Sequence, residues 1–567
     1  MRLSHLFFTT LRDDPADAEM PSHRLLLRAG YVRQLGSGIY SLLPLGKRVN
    51  DRVEQVIREE QNAIGGQEME MPVVHPADIW RASGRYDAIG PELTRFKDRN
   101  GRDMVLAMTH EEVVGLLLFD VVRSWRQLPQ QVYHFQTKWR DEPRARGGLI
   151  RVREFVMKDA YSADRDQAGL DASYEAQYGA YVRTFERLGL ETVVVASDVG
   201  IMGGSQAHEF MVLNPAGEDV LVLCETGHYA ANRQVAVMPK PPEATPPEAP
   251  LPREEVATPG TTTIATLAAF LGIGPERTAK AAFFVTGDGR LVTAIVRGDF
   301  EVNETKLANA VNAVGGIRPA TVEEIKASGM EPGYGSPIGA VGTVVVIDDL
   351  VERSPNLVAG ANRVGFHYRN VNAGRDYTAD VVADITNAQE GDACPVCGEP
   401  VVLRNGIEVG NIFKLGTKFS DAAGASYLGE DGVAHPIVMG SYGIGVGRST
   451  ACIVEAHHDE KGIVWPAEVA PYAAHLVSIG GTKEPRVDEI AANLHQVALD
   501  AGREILWDDR DESPGVKFTD AELLGMPWIL TVSPRSLAAG GVEVTERATG
   551  DRSTRPIEDV EAMLRGG

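Results

Sequence analysis

VMPKPPEATPPEAPLPREE, residues 237–255, limits what this chain can become more than any other stretch. Proline has a fixed φ and no backbone N–H. At this density it supports neither a helix nor a central strand and reads as a semi-rigid extended spacer. It interrupts a chain of 567 residues, and at about 100–200 residues per domain such a length predicts roughly three or four units rather than one core. The spacer is the clearest boundary, a self-contained α/β unit is expected after it, ending near CPVC at 394–397, and the last hundred residues read as a further small unit.

Periodicity fills these units. Residues 46–66 read as a helix, with Val49, Val53, Val56 and Ile57 on one face and Gly65-Gly66 as the stop. QEMEMPVV then alternates like a strand interrupted by Pro72, which suggests a sheet edge or an interface. After the spacer, TIATLAAFLGI looks helical, while AAFFVT, RLVTAIVRG and TVVVIDD look like buried strands. The last hundred or so residues alternate strand and helix, with Val487, Ile490, Ala491, Leu494, Val497 and Ala498 on one helix face.

Charge and cysteine exclude some classes. A net charge of −23 disfavours blanket nucleic-acid binding but allows a local basic patch. No apolar run is long enough to span a bilayer, and the N-terminus has no small-residue cleavage site after its short apolar patch, so neither a membrane span nor a signal peptide is expected. Four cysteines in so long a chain fit a reducing cytoplasm rather than a disulfide scaffold. CPVC (394–397) is half of a zinc site; with Cys224 and Cys452 isolated in sequence, a turn without metal is expected there.

The local basic patch is TKWRDEPRARGGLIRVREF, residues 137–155. It reads as two strands around an arginine-rich turn at Gly147-Gly148, with Arg140 and Arg151 on the strands and Lys138 as a further cation. Arginine forks match phosphate oxygens and Phe155 offers a stacking face; a solvated hairpin with Phe155 in the core is the plainer alternative. A second constellation is MGSYGIGVGR, where Gly440, Gly443, Gly445 and Gly447 run from a strand into a helix at Arg448. The GxGxxG spacing of a dinucleotide turn cannot be laid on it in that setting, which leaves an anion site beside Arg448 or a structural glycine turn. In AMTHEEV, Thr109, Glu111 and Glu112 precede an apolar helix as a cap would, and a carboxylate there also suits an ammonium group. His457-His458 reads as a helix C-terminus.

Together these segments resemble the three motifs of class II aminoacyl-tRNA synthetases: a helix and strand ending at Pro72; an RxE hairpin with Arg140, Glu142, Arg151 and Phe155; and a glycine strand with Gly443, Gly445, Gly447 and Arg448. DDPADAEMPSHRLLLRAGYVRQLGSGIYSLLPLG, THEE, REFVMKDAYS, IEVGNIFKLGTKFS and DDRDESPGVKF are similar to the bacterial-type prolyl-tRNA synthetases over nearly the whole chain. The resemblance implies an α+β catalytic domain with a central antiparallel sheet, divided over 1–224 and 406–468, an inserted α/β editing domain over 225–405 and a C-terminal α/β anticodon-binding domain over 469–567. It implies proline, ATP, Mg²⁺ and tRNA(Pro) as partners, and a cytoplasmic homodimer through motif 1.

Residue roles follow by the same resemblance. Arg140 is expected at the α-phosphate and the proline carboxylate, Glu142 at the adenine amino group and Phe155 on its ring, with Arg151 and Arg448 on the outer phosphates. Thr109 and Glu111 are expected to receive the N–H bonds of the prolinium nitrogen, and His208 to line that pocket. Arg144 faces the tRNA acceptor stem, and Asp509, Arg510 and Lys517 face the anticodon. Lys280, the Gly333-to-Pro337 loop, Asp348 and His367 match the editing site. Two positions depart from the family: Asn411 stands where histidine is common, and Ala207 where serine is. A non-catalytic tRNA-binding paralogue is disfavoured by the presence of Arg140, Glu142 and Arg448, and a ligase acting without tRNA by the anticodon-like unit.

Overall fold

The computed structural model describes residues 1–16, 18–242, 248–481 and 483–566. The expected helix runs over Pro44–Ala63 and buries Val49, Val53, Val56 and Ile57. Pro44 stands in its first turn, where its missing N–H costs nothing, and Gly65 follows its end at φ 84°. This helix packs on Gln167–Arg187 and Val446–Ala456, and all three cover one face of a nine-stranded sheet.

The sheet order is Gln206–Leu213, Val193–Ser197, Ala230–Asn232, Asp219–Cys224, Val401–Gly416, Val438–Gly445, Glu154–Asp164, Gln130–Trp139 and Gln67–Glu68. Every pairing is antiparallel except those of Gln67–Glu68 and Ala230–Asn232 with Gln130–Trp139 and Val193–Ser197. Val401–Gly416 is the longest strand and staples the halves: its first residues pair with Asp219–Cys224, its last with Gln206–Leu213 on one side and Val438–Gly445 on the other. The alternating stretch after the first helix yields only short strands, Gln67–Glu68 and Val74–Pro76, because Pro72 and Pro76 withhold donors between and after them.

Between Asn232 and Val401 the chain builds a second sheet, ordered Ile317–Pro319, Ala279–Thr286, Leu291–Arg297, Thr343–Asp348 and Val381–Ala383. The apolar runs legible in the sequence are its three central strands. Glu254–Ala257 pairs with Phe366–Val371, so the last residues of the proline-rich stretch are strand rather than spacer. Other described residues of that stretch are pinned as well: the Leu251 N–H donates to Asn356 at 2.8 Å, Arg375 donates to the Leu251 carbonyl at 2.6 Å, and Lys240 pairs with Asp348 at 2.6 Å. Residues 243–247 lie outside the described residues.

The last unit is a five-stranded sheet ordered Leu506–Asp508, His475–Ser478, Trp528–Val532, Val542–Glu546 and Arg552–Arg555. Its first three strands are parallel, and the helix Pro485–Asp500 turns Val487, Ala491, Leu494, Val497 and Ala498 onto it. The amino terminus is seated on this unit: the Met1 amino group donates to the Ile505 carbonyl at 2.9 Å.

Candidate functional site

Gln130–Trp139 and Glu154–Asp164 pair in full register, Lys138 opposite Phe155. Arg140 and Arg151, expected on these strands, instead lie in the connection beyond their ends. Pro143 cannot donate to a ladder, and the Arg153 N–H is diverted to the Gly38 carbonyl at 2.8 Å. Gly147 and Gly148 turn the chain at φ 68° and 62°, and a Cβ at Gly148 would meet the His23 ring at 2.9 Å.

The connection walls a cleft of 860 Å³ lined by Arg140, Glu142, Arg146, Arg151, Glu408 and Arg448 among others. A narrower recess of 90 Å³ opens beside it between Phe155, Gly443 and Gly445, sharing Arg140, Glu408 and Arg448. Glycine keeps this floor open; a Cβ at Gly443 would press on Asn411 Oδ1 at 3.1 Å and Met157 Sδ at 3.4 Å. Arg448 stands in the first turn of Val446–Ala456 and donates to the Ile150 carbonyl at 2.8 Å and the Glu408 carbonyl at 3.0 Å. Arg140 lies with its guanidinium carbon 5.4 Å from the Phe155 ring centre and donates to the Met108 carbonyl at 3.3 Å. Its buried Nε has no partner, an uncompensated donor in a polar cleft.

Of the carboxylates here the motifs announce only Glu142; Glu218, Glu408, Asp219 and Glu209 they do not. Glu142 accepts from Arg151 at 2.9 and 2.7 Å, and Glu218 holds Arg146 at 2.6 Å and also binds Arg151. Glu408 accepts from Asn411 at 2.7 Å and lines the cleft with Asp219. Behind them, burial and then the Glu408 charge push the Glu209 carboxyl up to about 8.

Thr109 and Glu111 are drawn together by Arg85, a residue with no motif around it. Arg85 is 2% exposed and donates to Thr109 Oγ1 at 2.9 Å, Glu111 at 3.2 Å and Glu112 at 3.1 Å. Ser441, from the glycine strand, donates to the other Glu111 oxygen at 2.9 Å. The capping reading is corrected: the helix Glu111–Val121 begins at His110 without a side-chain cap, because Thr109 is spent on Arg85. Arg140, bonded to Met108, abuts this group. His208 shares a 2.7 Å hydrogen bond with Tyr174, its ring held neutral by burial; among the described residues no bond joins it to Thr109 or Glu111.

Lys138 is not a cleft cation. It is fully buried, with its ammonium 2.7 Å from Asp159, 2.9 Å from His110 and 3.2 Å from His134. Arg144, by contrast, is exposed at the turn.

The remaining expected groups are dispersed. His367 Nδ1 lies 2.6 Å from the Thr258 hydroxyl, and its ring is 5.4 Å from that of Tyr334, within the Gly333-to-Pro337 loop. Gly333 turns at φ 80°. Lys280 pairs instead with Glu301, and Asp348 is a fully buried cap bonded to the Leu350 N–H and Lys240. In the last unit Asp509 accepts from Ser4 at 3.0 and 2.9 Å, and Arg510 pairs with Asp508 and Asp520 at 2.7 and 2.9 Å. Lys517 is 4% exposed and donates its ammonium to the Ser478 carbonyl at 2.8 Å. A second correction concerns cysteine. Cys224, isolated in sequence, lies with its sulfur 3.5 Å from that of Cys397; Cys452 is buried elsewhere, inside the helix Val446–Ala456.

A family model described as "tRNA synthetase class II core domain (G, H, P, S and T)" matches residues 94–457, and one described as "Anticodon binding domain" matches residues 474–566. A proline–tRNA ligase from Salinispora tropica is 51% identical over 572 residues, spanning 100% of this chain and 96% of the relative. One from Dehalococcoides mccartyi is 47% identical, spanning 99% and 98%. Among solved structures, a prolyl-tRNA synthetase from Cryptosporidium parvum complexed with L-proline and AMP aligns with a TM-score of 0.58 at 13% identity, covering 98% of this chain and 76% of that one. At that identity the likeness bears on the fold alone.

Proposed function

The chain belongs to the proline–tRNA ligase family of class II aminoacyl-tRNA synthetases, and on that premise we propose that its arginine-lined cleft joins proline to ATP and passes the prolyl group to tRNA(Pro). One observation carries the assignment of the site. Arg140, with an unbonded buried Nε, and Arg448, from the far end of the catalytic unit, line the same cleft, and Arg140 reaches from the Phe155 ring to the Met108 carbonyl, next in sequence to Thr109.

The chemistry follows from charge. A proline carboxylate oxygen bonds to the α-phosphorus of ATP while the bond to the pyrophosphate oxygen breaks in line. Two anions must meet, so positioning and neutralisation dominate and no base is required, the carboxylate being ionised already. Arg140 spans the α-phosphate and the amino-acid carboxylate. Phe155 offers its face to adenine, Glu142 an acceptor to the adenine amino group, and Arg151 and Arg448 meet the outer phosphates. Arg151 leaves its Glu142 and Glu218 partners to do so. Thr109 and Glu111, oriented by Arg85 and Ser441, accept the two prolinium N–H bonds, and His208 lies on the strand flanking that pocket. Glu408 and Asp219, oxygen donors on the cleft wall, fit a hard divalent cation and would hold Mg²⁺, which supplies charge neutralisation on the phosphates. In the second step the terminal ribose hydroxyl of tRNA attacks the prolyl carbonyl and AMP leaves. The exposed Arg144 meets the acceptor stem, and Asp509 and Arg510 lie towards the anticodon.

The test is pyrophosphate exchange with each of the twenty amino acids, followed by charging of purified tRNA. Exchange should be strongest with proline and should couple to charging of tRNA(Pro); exchange without charging would leave a ligase of another kind.

Two finer readings rest on the same premise. The helix Glu111–Val121 leaves Leu116, Leu117, Phe119 and Val121 exposed, a surface suited to the partner of a homodimer. Among the described residues no helix is long and apolar enough to cross a membrane, and all four cysteines are free, which suits the cytoplasm. The insertion is read as an editing unit. A proline pocket cannot strongly reject alanine, since each missing methylene is worth about 1–3 kcal/mol, and a second hydrolytic site is the usual remedy. His367, held at about 4 by burial and therefore neutral, faces the Gly333-to-Pro337 loop and is the group best placed to serve it. Excision of the insertion, and separately His367→Ala, should raise alanyl-tRNA(Pro) accumulation. Unchanged clearance in both would remove the editing role.

A further inference from the structure

Three groups of side chains in the described residues have the ligand types of a metal site: His110, His134 and Asp159; Asp348, Asp349 and Asp384; and Cys224, His228 and Cys397. The first two already enclose a cation. Lys138 sits among the first group, and Lys240 reaches Asp348 at 2.6 Å and Asp384 at 2.9 Å in the second. The third has no ammonium or guanidinium bonded to it among the described residues.

From this third group we infer that Cys224, His228, Cys394 and Cys397 form a closed structural zinc site. The ligand atoms of Cys224, His228 and Cys397 all lie within 4.8 Å of one another. The Cys224–Cys397 sulfur separation is 3.5 Å. A disulfide requires about 2.05 Å, whereas two thiolates on one tetrahedral zinc, each about 2.3 Å from it, stand about 3.8 Å apart. Cys394, 2% exposed and on the same turn as Cys397, is assigned as the fourth ligand. Both cysteine segments are folded into tight turns: the Cys394 N–H donates to the Glu399 carbonyl at 2.8 Å and the Gly398 N–H to the Cys394 carbonyl at 2.9 Å, while the Cys224 N–H donates to the Tyr229 carbonyl and the Gly227 N–H to the Cys224 carbonyl, both at 2.8 Å. Gly227 and Gly398, at φ 77° and 81°, permit both turns.

The Thr226 hydroxyl fills the space between the ligands, 2.9 Å from Cys224 Sγ, 2.9 Å from His228 Nδ1 and 3.6 Å from Cys397 Sγ. A bound ion would take this place, with the Thr226 hydroxyl turned aside. The location gives such a site its purpose. Cys224 ends one strand of the catalytic sheet, and CPVC precedes the long strand Val401–Gly416, so the two ligand pairs flank the chain's exit into the insertion and its return. The neck between them is also held by a small apolar cluster of Val222, Ala231, Ala236, Ala388 and Val401 and by hydrogen bonds: Arg233 donates to the Ala388 carbonyl at 3.0 Å, Asn303 to that of Arg233 at 3.0 Å and Lys306 to that of Ala236 at 2.6 Å. Zinc would tie both connections to the sheet.

The full-length chain, purified without a metal-binding tag or chelator, should carry about one zinc per chain by elemental mass spectrometry, as a closed four-ligand site requires. Co²⁺ exchanged into it should give a sulfur-to-cobalt charge-transfer band in the near ultraviolet. Cys394→Ser/Cys397→Ser should lose both signals, while Thr226→Val should keep them. The wild-type count stands whether or not the double variant folds. Trace zinc with no cobalt band in the fresh wild-type protein, or an intact mass showing a Cys224–Cys397 disulfide, would overturn the site.

Discussion

Arg140→Ala should lower proline-dependent pyrophosphate exchange by about 10²–10³-fold or more, the usual effect of removing one preorganised donor from a charge-developing transition state, with the fold retained. The retention is expected because Arg140 does little for the free protein: one 3.3 Å bond to the Met108 carbonyl, a face on Phe155 and a buried Nε with no partner. A guanidinium so poorly paired is held for a ligand rather than for stability. Arg144→Ala serves as the contrast. Arg144 is exposed at the turn, so exchange should stay normal while aminoacylation weakens. Near wild-type exchange in the Arg140 variant would remove that residue from the site. Equal losses in both assays for the Arg144 variant would remove the acceptor-stem contact.

The contrast between these arginines also shows what a linear sequence can disclose. The helix over Pro44–Ala63 was legible because its valines recur at helical spacing, and the insertion's central strands because apolar runs are local signals. Arg140, Phe155, Gly443 and Arg448 were legible because resemblance ties motifs together across the chain, and the structure lines one recess with all four. Arg85 was not legible. Its partners Thr109, Glu111 and Glu112 are more than a helix away, and nothing around it repeats. The same holds for Glu408, an ordinary strand residue until Arg448 and Asn411 close on it. Cys224 and Cys397 are 173 positions apart and meet only because one strand of the sheet ends where another begins. Charge misled in one direction. Lys138 and Lys517 look like surface cations in sequence, yet both ammonium groups are buried on internal acceptors.

Lys138 carries the largest stability prediction. Its ammonium is the only side-chain cation within bonding distance of Asp159 among the described residues, and it also meets His110 and His134. Lys138→Met would leave the buried Asp159 carboxylate without its cation, on the His134 ring at 2.9 Å and the Tyr161 hydroxyl at 2.7 Å alone, a loss of about 3–5 kcal/mol. For a domain of this size that is a drop on the order of 10 °C in the melting transition of the catalytic unit, read by calorimetry. Lys138→Met/Asp159→Asn should recover much of the drop, since no net charge is then stranded; an equal or deeper drop would mean the pair's packing, not its charge, matters. The pH dependence has a definite sign. Burial holds the His75 imidazole at about 4 and, with the Lys138 charge, His110 at about 2, both below the unfolded value of about 6.5. Their neutral forms therefore contribute stability that is complete above about pH 6.5 and is lost as pH falls towards their folded values. Asp159, held below its ordinary range by Lys138 and His134 against the cost of burial, adds a further loss only below about pH 4. The wild-type melting temperature should thus begin to fall near pH 6.5, and a curve flat down to pH 4 would show that these histidines are solvated in the folded protein.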